Sequence, residues 1–371
     1  MSEAISKFLT ERIAANDFPS AVYLVAEKGE IVMHEALGHA VVEPELIAAT
    51  TDTIYDLASL TKVLVSGLLA AQLAGSGELD IESPISKYLP EFQIAGKDRI
   101  TVKHLLAHTS GFAAWKPFYL LVNDPTEIAA NVAATLLDYR TGSRVVYSDA
   151  NFILLGRIIE KLHSIPLDRV IEGEIAEPLG LWDTRFRPAV ELRRRIAACE
   201  LGNGFERQTC IDQGYAVDSA KGQFRTDTIW GEVHDGNAYF MGGVAGHAGL
   251  FSTATEMLSI ALQFMENHTF ILWREDCGRF SHNFTNGMNE HRSFAFQLAT
   301  TPECTAGQYM SPESFGHLGF TGTSLWIDPV KERVFILLTN RTHNHGLPFV
   351  NINSVRRKFH DLAIEFLDKN S

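Results

Sequence analysis

Four cysteines in 371 residues, none of them in a C-x-x-C pair, leave this chain without the spacing of a zinc site or the density of a disulfide scaffold. Cys199, Cys210, Cys277 and Cys304 are expected to be free thiols. Positive charge is also scarce. With 32 Lys and Arg against 45 Asp and Glu, the net charge of −13 speaks against nucleic acid or a membrane surface as a partner. No H-E-x-x-H occurs, because His34 and Glu35 are followed by Ala36, Leu37 and Gly38, so no metal site is expected despite 14 histidines. His343 and His345 read as members of a polar loop. The G-x-S-x-G elbow is missing, which excludes an α/β-hydrolase esterase. There is no internal repeat and no low-complexity linker.

A basic-then-apolar leader is not seen either. The opening MSEAISKFLTERIAANDF reads as an amphipathic helix, so a cytoplasmic protein is expected, or a periplasmic one if a leader was removed. Apolar runs are short. The longest follows Lys62 and is expected to fall below a membrane span.

What is present is a mixed pattern. SAVYLVA and IVMHEALGHA flank EKGE, a hairpin with glycine at its turn. GHLGFTGTSLWI and RVFILLTN flank DPVKE, again strand, turn and strand. The last segment spaces Val355, Phe359, Leu362, Ile364 and Phe366 as a helix does. Between the ends, 59–75, 100–108, 125–138, 151–163 and 168–177 look helical, while 200–250 has little period and is expected to be an irregular wall. The expected fold class is α+β: an antiparallel sheet flanked by helices with a mainly helical inserted region. Residues 1–371 form a single unit in this reading. Residues 1–58 and 245–371 supply the sheet region, 59–244 the helical one, and an active site lies between them.

Chemistry concentrates at DLASLTKVLVSGLLAAQLAGSGELD, residues 56–80. Ser59 and Lys62 lie three apart at the head of a buried helix, hence on one face. A serine hydroxyl needs a base beside it, and a lysine can serve if burial lowers its pKa. Tyr147, in YSDANFILLG, opens another apolar helix and could shuttle a proton near an ammonium. FGHLGFTGT, residues 315–323, has glycines at 316, 319 and 322, which would let a substrate approach a strand's backbone.

SLTK, then YSD, then HLG resembles the ordered S-x-x-K, Y-x-N and K-T-G signature of the serine β-lactamase and penicillin-binding-protein superfamily, class C-like branch. ELDIESPISKYLPEF, ITVKHLLAHTSGF, AEPLGLWDTRF and GGVAGHAGLFSTA are similar to its connecting segments. The resemblance implies a serine β-lactamase-like fold and an acyl-enzyme hydrolase acting on an ester, a lactam or a short peptide. A D-amino-acid peptidase or a silent binder of peptidoglycan fragments is the alternative. It assigns Ser59 as nucleophile, Lys62 as activating base and Tyr147 as second shuttle. The backbone N–H groups of Ser59 and Phe320 would form the oxyanion hole, and Asp149, His317 and Gly319 would meet the substrate. No cofactor is called for, and nothing speaks to oligomeric state. Asp149 replaces the usual asparagine and His317 the usual lysine. A mostly neutral histidine holds a carboxylate weakly, so uncharged esters are expected to be favoured over lactams, with the balance shifting as pH falls toward 6.

Overall fold

Strand pairing begins at a tight reversal in the computed structural model, which describes residues 2–219, 223–343 and 345–370. Lys28 and Gly29 both take left-handed φ, +53° and +83°, and this backbone joins strands without splaying them. The strands among the described residues are β1 (Ser20–Glu27), β2 (Glu30–Val41), β3 (Ile47–Ala48), β4 (Tyr55–Asp56), β5 (Arg185–Phe186), β6 (Leu250–Ser252), β7 (Gln297–Leu298), β8 (Phe315–Leu318), β9 (Ser324–Asp328) and β10 (Arg333–Thr339). Seven of them form one antiparallel sheet in the order β3-β2-β1-β10-β9-β8-β7. A small second sheet orders β4-β6-β5.

β1 and β10 are apolar at nearly every position because both faces of the sheet are covered. Tyr23, Val25, Phe335 and Leu337 face the terminal helices Ser2–Ala14 and Asn353–Asn370, packing on Ile5, Leu9 and Phe359. Val22, Leu24, Ile336 and Leu338 turn the other way into the larger core, against the helix Ala254–Leu262 and the helical region beyond it. Strand periodicity of two thus appears as a choice between two cores, with no polar face.

The expected single strand GHLGFTGTSLWI is split. β8 ends at Leu318, the chain reverses through 319–323, and β9 returns beside it. Two glycines force the break: Gly322 has φ +117°, and a Cβ on Gly319 would lie 1.9 Å from Thr323 Oγ1 and 2.5 Å from the Leu57 carbonyl. Phe320 is therefore a turn residue.

The segment Ala58–Gly75 is helical throughout, as a 3₁₀ turn (Ala58–Leu60), a π stretch (Lys62–Gly67) and an α-helix (Leu68–Gly75). By length and composition it could cross a membrane, contrary to expectation, but 78% of it is buried inside the protein. It is a core helix. The stretch 200–250 is less irregular than its sequence implies, with helices at Gly204–Asp212 and Gly236–Phe240. The first escapes notice because only Glu206 and Cys210 of its nine residues are buried.

Candidate active site

The small sheet delivers the chain to Ser59 under restraint. Asp56 ends β4, and its carboxylate accepts from Ala58 N at 2.8 Å and His234 N at 2.8 Å. Ala58 is thereby held at φ +47°, a left-handed turn that costs an alanine about 1–2 kcal/mol. The next residue is Ser59, at the floor of a cleft of about 540 Å³.

Lys62 is fully buried one turn on, and polar groups surround its ammonium. It donates to Ser59 Oγ at 3.0 Å and the His247 carbonyl at 3.0 Å, and pairs with Asp149 Oδ1 at 2.8 Å. This is the bonding of a cation. Burial is the strongest single influence on Lys62 and pushes its pKa down, yet Asp149 and Tyr147 together outweigh it and hold the pKa above the ordinary lysine value. The expected fall does not occur. The physical reason is the Asp149 carboxylate beside the amine, with Tyr147 adding to it.

Tyr147 lies within hydrogen-bonding reach of both Ser59 and Lys62, with its ring centroid 4.9 Å from Nζ. Burial raises its pKa, the lysine ammonium opposing. His108 lies against the Tyr147 ring, centroids 4.5 Å apart. Its Nδ1 accepts from Ser148 N and faces the Asn151 amide, so the proton resides on Nε2 of a neutral ring. His104, the other histidine of that segment, closes a capping box with Thr101.

His317 is 4% exposed and borders the cleft. Its Nδ1 donates to the Leu318 carbonyl at 2.9 Å, leaving Nε2 as a bare acceptor. Burial, with Arg292 and Lys62 adding, holds its pKa well below 6.5. His317 therefore stays neutral near pH 6, and the expected gain of carboxylate binding on acidification has no basis.

Asp149, Gly319 and Phe320 border the same cleft as Ser59, Tyr147 and His317, so seven candidate residues, counting Lys62 beneath, meet at one place. The stretch 200–250 does wall the cleft, through residues such as Glu206 and Asp235, whereas Arg292 had no sequence signal. Arg292 is 5% exposed and pairs with Glu290 through Nη2 at 2.6 Å, while its Nε and Nη1 are buried without a partner. Glu206 and Asp235 also line the cleft. Each comes from a segment distant in sequence from S-x-x-K. His343, expected in a polar loop, is 1% exposed, accepts from Val42 N and donates to the Cys199 carbonyl. For a cation, Asp149, Asp235 and His247 bring ligand atoms within 4.8 Å of one another, but Asp149 is engaged by Lys62 and Asp235 by His247. All four cysteines are free.

A buried lysine bonded to the serine three residues before it, under a helix-flanked antiparallel sheet, is the arrangement of a serine hydrolase of the β-lactamase class. The chain belongs to the Beta-lactamase family, whose profile matches residues 5–356. A Salmonella agona protein named "Putative D-alanyl-D-alanine carboxypeptidase" is 35% identical over 369 residues, covering 91% of this chain and 82% of that one. Among solved structures, a class C β-lactamase superposes with TM-score 0.74 at 17% identity, covering 97% of each chain. EstCE1, described as a hydrolase with promiscuous acyltransferase activity, gives TM-score 0.72 at 20% identity, over 97% of this chain and 98% of its own.

Proposed function

We propose that Ser59 is acylated by substrates carrying a carboxylate close to the scissile carbonyl, foremost peptides ending in D-alanine, and that water then releases the acyl group. Arg292 carries this reading. Its guanidinium borders the cleft that holds Ser59, and its Nε and Nη1 are buried with no partner in the protein, so a cation with unused donors stands where a substrate carboxylate could be held. The name of the Salmonella relative supports the same class of substrate. In this reading Arg292, and not His317, supplies the cation, so carboxylate substrates are favoured over neutral esters.

In this mechanism Ser59 Oγ attacks the carbonyl and the oxyanion forms between the N–H groups of Ser59 and Phe320. The serine proton passes to Tyr147 or Lys62. With Lys62 an ammonium and Tyr147 a neutral phenol at rest, one proton must first leave this group. The phenolate–ammonium and phenol–amine forms carry the same charge and act as one titrating unit. Tyr147 then returns the proton to the leaving nitrogen. Activated uncharged esters also acylate Ser59, since this machinery does not need the carboxylate.

The test is a fluorophosphonate followed by peptide mapping, then kinetics on a D-alanyl-D-alanine peptide, a chromogenic cephalosporin and p-nitrophenyl acetate. The adduct is expected on Ser59 alone. Arg292→Gln should lower kcat/KM on the peptide by roughly 10- to 100-fold, the loss of a charged hydrogen bond, and leave the ester nearly untouched. An adduct elsewhere removes Ser59 from its role. Equal losses on all three substrates remove Arg292 from its own.

A further inference from the structure

Arg356 is a buried cation without an anion. It lies in the first turn of the C-terminal helix, is 5% exposed, and pairs with no carboxylate among the described residues. Its partners are neutral: Nη1 donates to Asn353 Oδ1 at 2.9 Å, and Nη2 to the carbonyls of Gly319 and Thr323 at 3.0 Å each. Burial, then Arg341 nearby, brings its pKa down to about 9. A charge in such a place is unfavourable unless its surroundings use it.

What it faces is the oxyanion turn. The Gly319 carbonyl and the Phe320 N–H are the two ends of one peptide unit. A guanidinium on the carbonyl draws electron density through the amide and makes the N–H a stronger donor. Other bonds fix the same turn: Arg341 Nε donates to the Phe320 carbonyl at 2.7 Å. Thr321 and Thr323 hydroxyls reach the Asp56 and Leu57 carbonyls at 2.7 and 3.0 Å, tying the turn to the segment that delivers Ser59. The two halves of the hole are thus held in register by side chains on one side and a buried positive charge on the other.

We propose that Arg356 is a positioning residue for the oxyanion hole: it orients and polarises the Gly319–Phe320 peptide so that the Phe320 N–H binds a tetrahedral oxyanion better than a planar carbonyl. The inference rests on Ser59 being the nucleophile and the Phe320 amide a donor. It differs from a substrate anchor in that its effect reaches substrates bearing no carboxylate.

The experiment uses the full chain, p-nitrophenyl acetate as a neutral substrate, and phenylboronic acid, whose serine adduct is an anionic tetrahedron. Arg356→Gln should lower kcat on the ester roughly tenfold or more, weaken phenylboronic acid by a similar factor, and leave KM and the melting temperature little changed. Arg356→Lys should recover part of both losses. A folded Arg356→Gln protein within about twofold of wild type in both readouts overturns the proposal. So does a loss confined to D-alanyl peptides, which would make Arg356 a substrate anchor. If Arg356→Gln does not fold, Arg356→Lys decides: phenylboronic acid weakened with melting unchanged supports the proposal, and unchanged affinity overturns it. Failure of the wild type to be labelled at Ser59 is a separate result, which removes the parent reading and this one with it.

Discussion

At the scale of single residues, Asp149 decides the protonation of the site. A fully buried lysine without a carboxylate would titrate low and offer a lone pair at neutral pH. Here the Lys62–Asp149 pair, at 2.8 Å, holds the proton on the amine. Because attack requires one proton to leave, kcat/KM on a neutral ester should climb with pH beyond neutrality. Asp149→Asn keeps an oxygen acceptor but removes the charge, so burial then dominates. The rising limb should move to lower pH by about one unit or more, raising activity at neutral pH relative to the alkaline maximum. Matching pH–rate profiles for the two proteins would show that the carboxylate does not control the proton.

At the scale of elements, the site depends on three segments approaching closer than side chains normally allow. The Ala58–Gly75 helix, the Asp149–His163 helix and the loop before β6 meet at Gly156 and Gly246, where a Cβ on Gly246 would lie 2.3 Å from the Phe152 carbonyl and 2.8 Å from Ser66 Oγ. Ser66 in turn donates to the Gly246 carbonyl at 2.7 Å, inside the π stretch. The following residue, His247, gives its carbonyl to Lys62. Gly246→Ala must therefore push the loop away from both helices. Thermal unfolding should show a loss of about 1–3 kcal/mol. Acylation by p-nitrophenyl acetate should also fall, by more than the melting change explains at assay temperature. Unaltered melting and rate would mean that the contact is slack.

At the scale of the whole molecule, the cleft brings buried acids together, and stability records it. Burial first, then Asp235, raises the Glu206 pKa to about 7, while His247 overcomes burial to hold Asp235 below the usual range. Glu206 thus binds its proton more tightly folded than unfolded. Its contribution is fully present below about pH 4.5 and is lost as pH rises through 7. The loss is on the order of 1–3 kcal/mol. Glu206→Gln cannot ionise, so it should melt higher than wild type at pH 8 and close to it at pH 5. Parallel melting curves across that range would contradict the assignment.

The local and repetitive parts of this protein were legible in one dimension. The β1–β2 hairpin follows from two apolar runs around Lys28-Gly29, and the C-terminal helix from its spacing, because turn conformation and periodicity are properties of neighbouring residues. Ser59 and Lys62 share a helical turn, so their pairing is written in their spacing, and Tyr147 follows from the order of the motifs. Other features arise only from folding. The turn between β8 and β9 is tied to the segment before Ser59 by the Thr321 and Thr323 hydroxyls on the Asp56 and Leu57 carbonyls, far away in the chain. The raised lysine comes from a carboxylate 87 positions away, at 2.8 Å. Arg292 and Arg356 belong to segments whose local patterns say nothing of a cleft, whereas Glu206 lies in the 200–250 stretch whose lack of period pointed to a wall. Which polar groups end up buried, paired or bare is decided by packing between distant segments, and desolvation then sets their charge. By itself the sequence determined a helix-flanked antiparallel sheet and a serine next to a lysine. Tertiary structure alone decided that the lysine keeps its proton, that the His317 pKa falls well below its ordinary value, and that Arg292 borders the cleft with two nitrogens unpartnered.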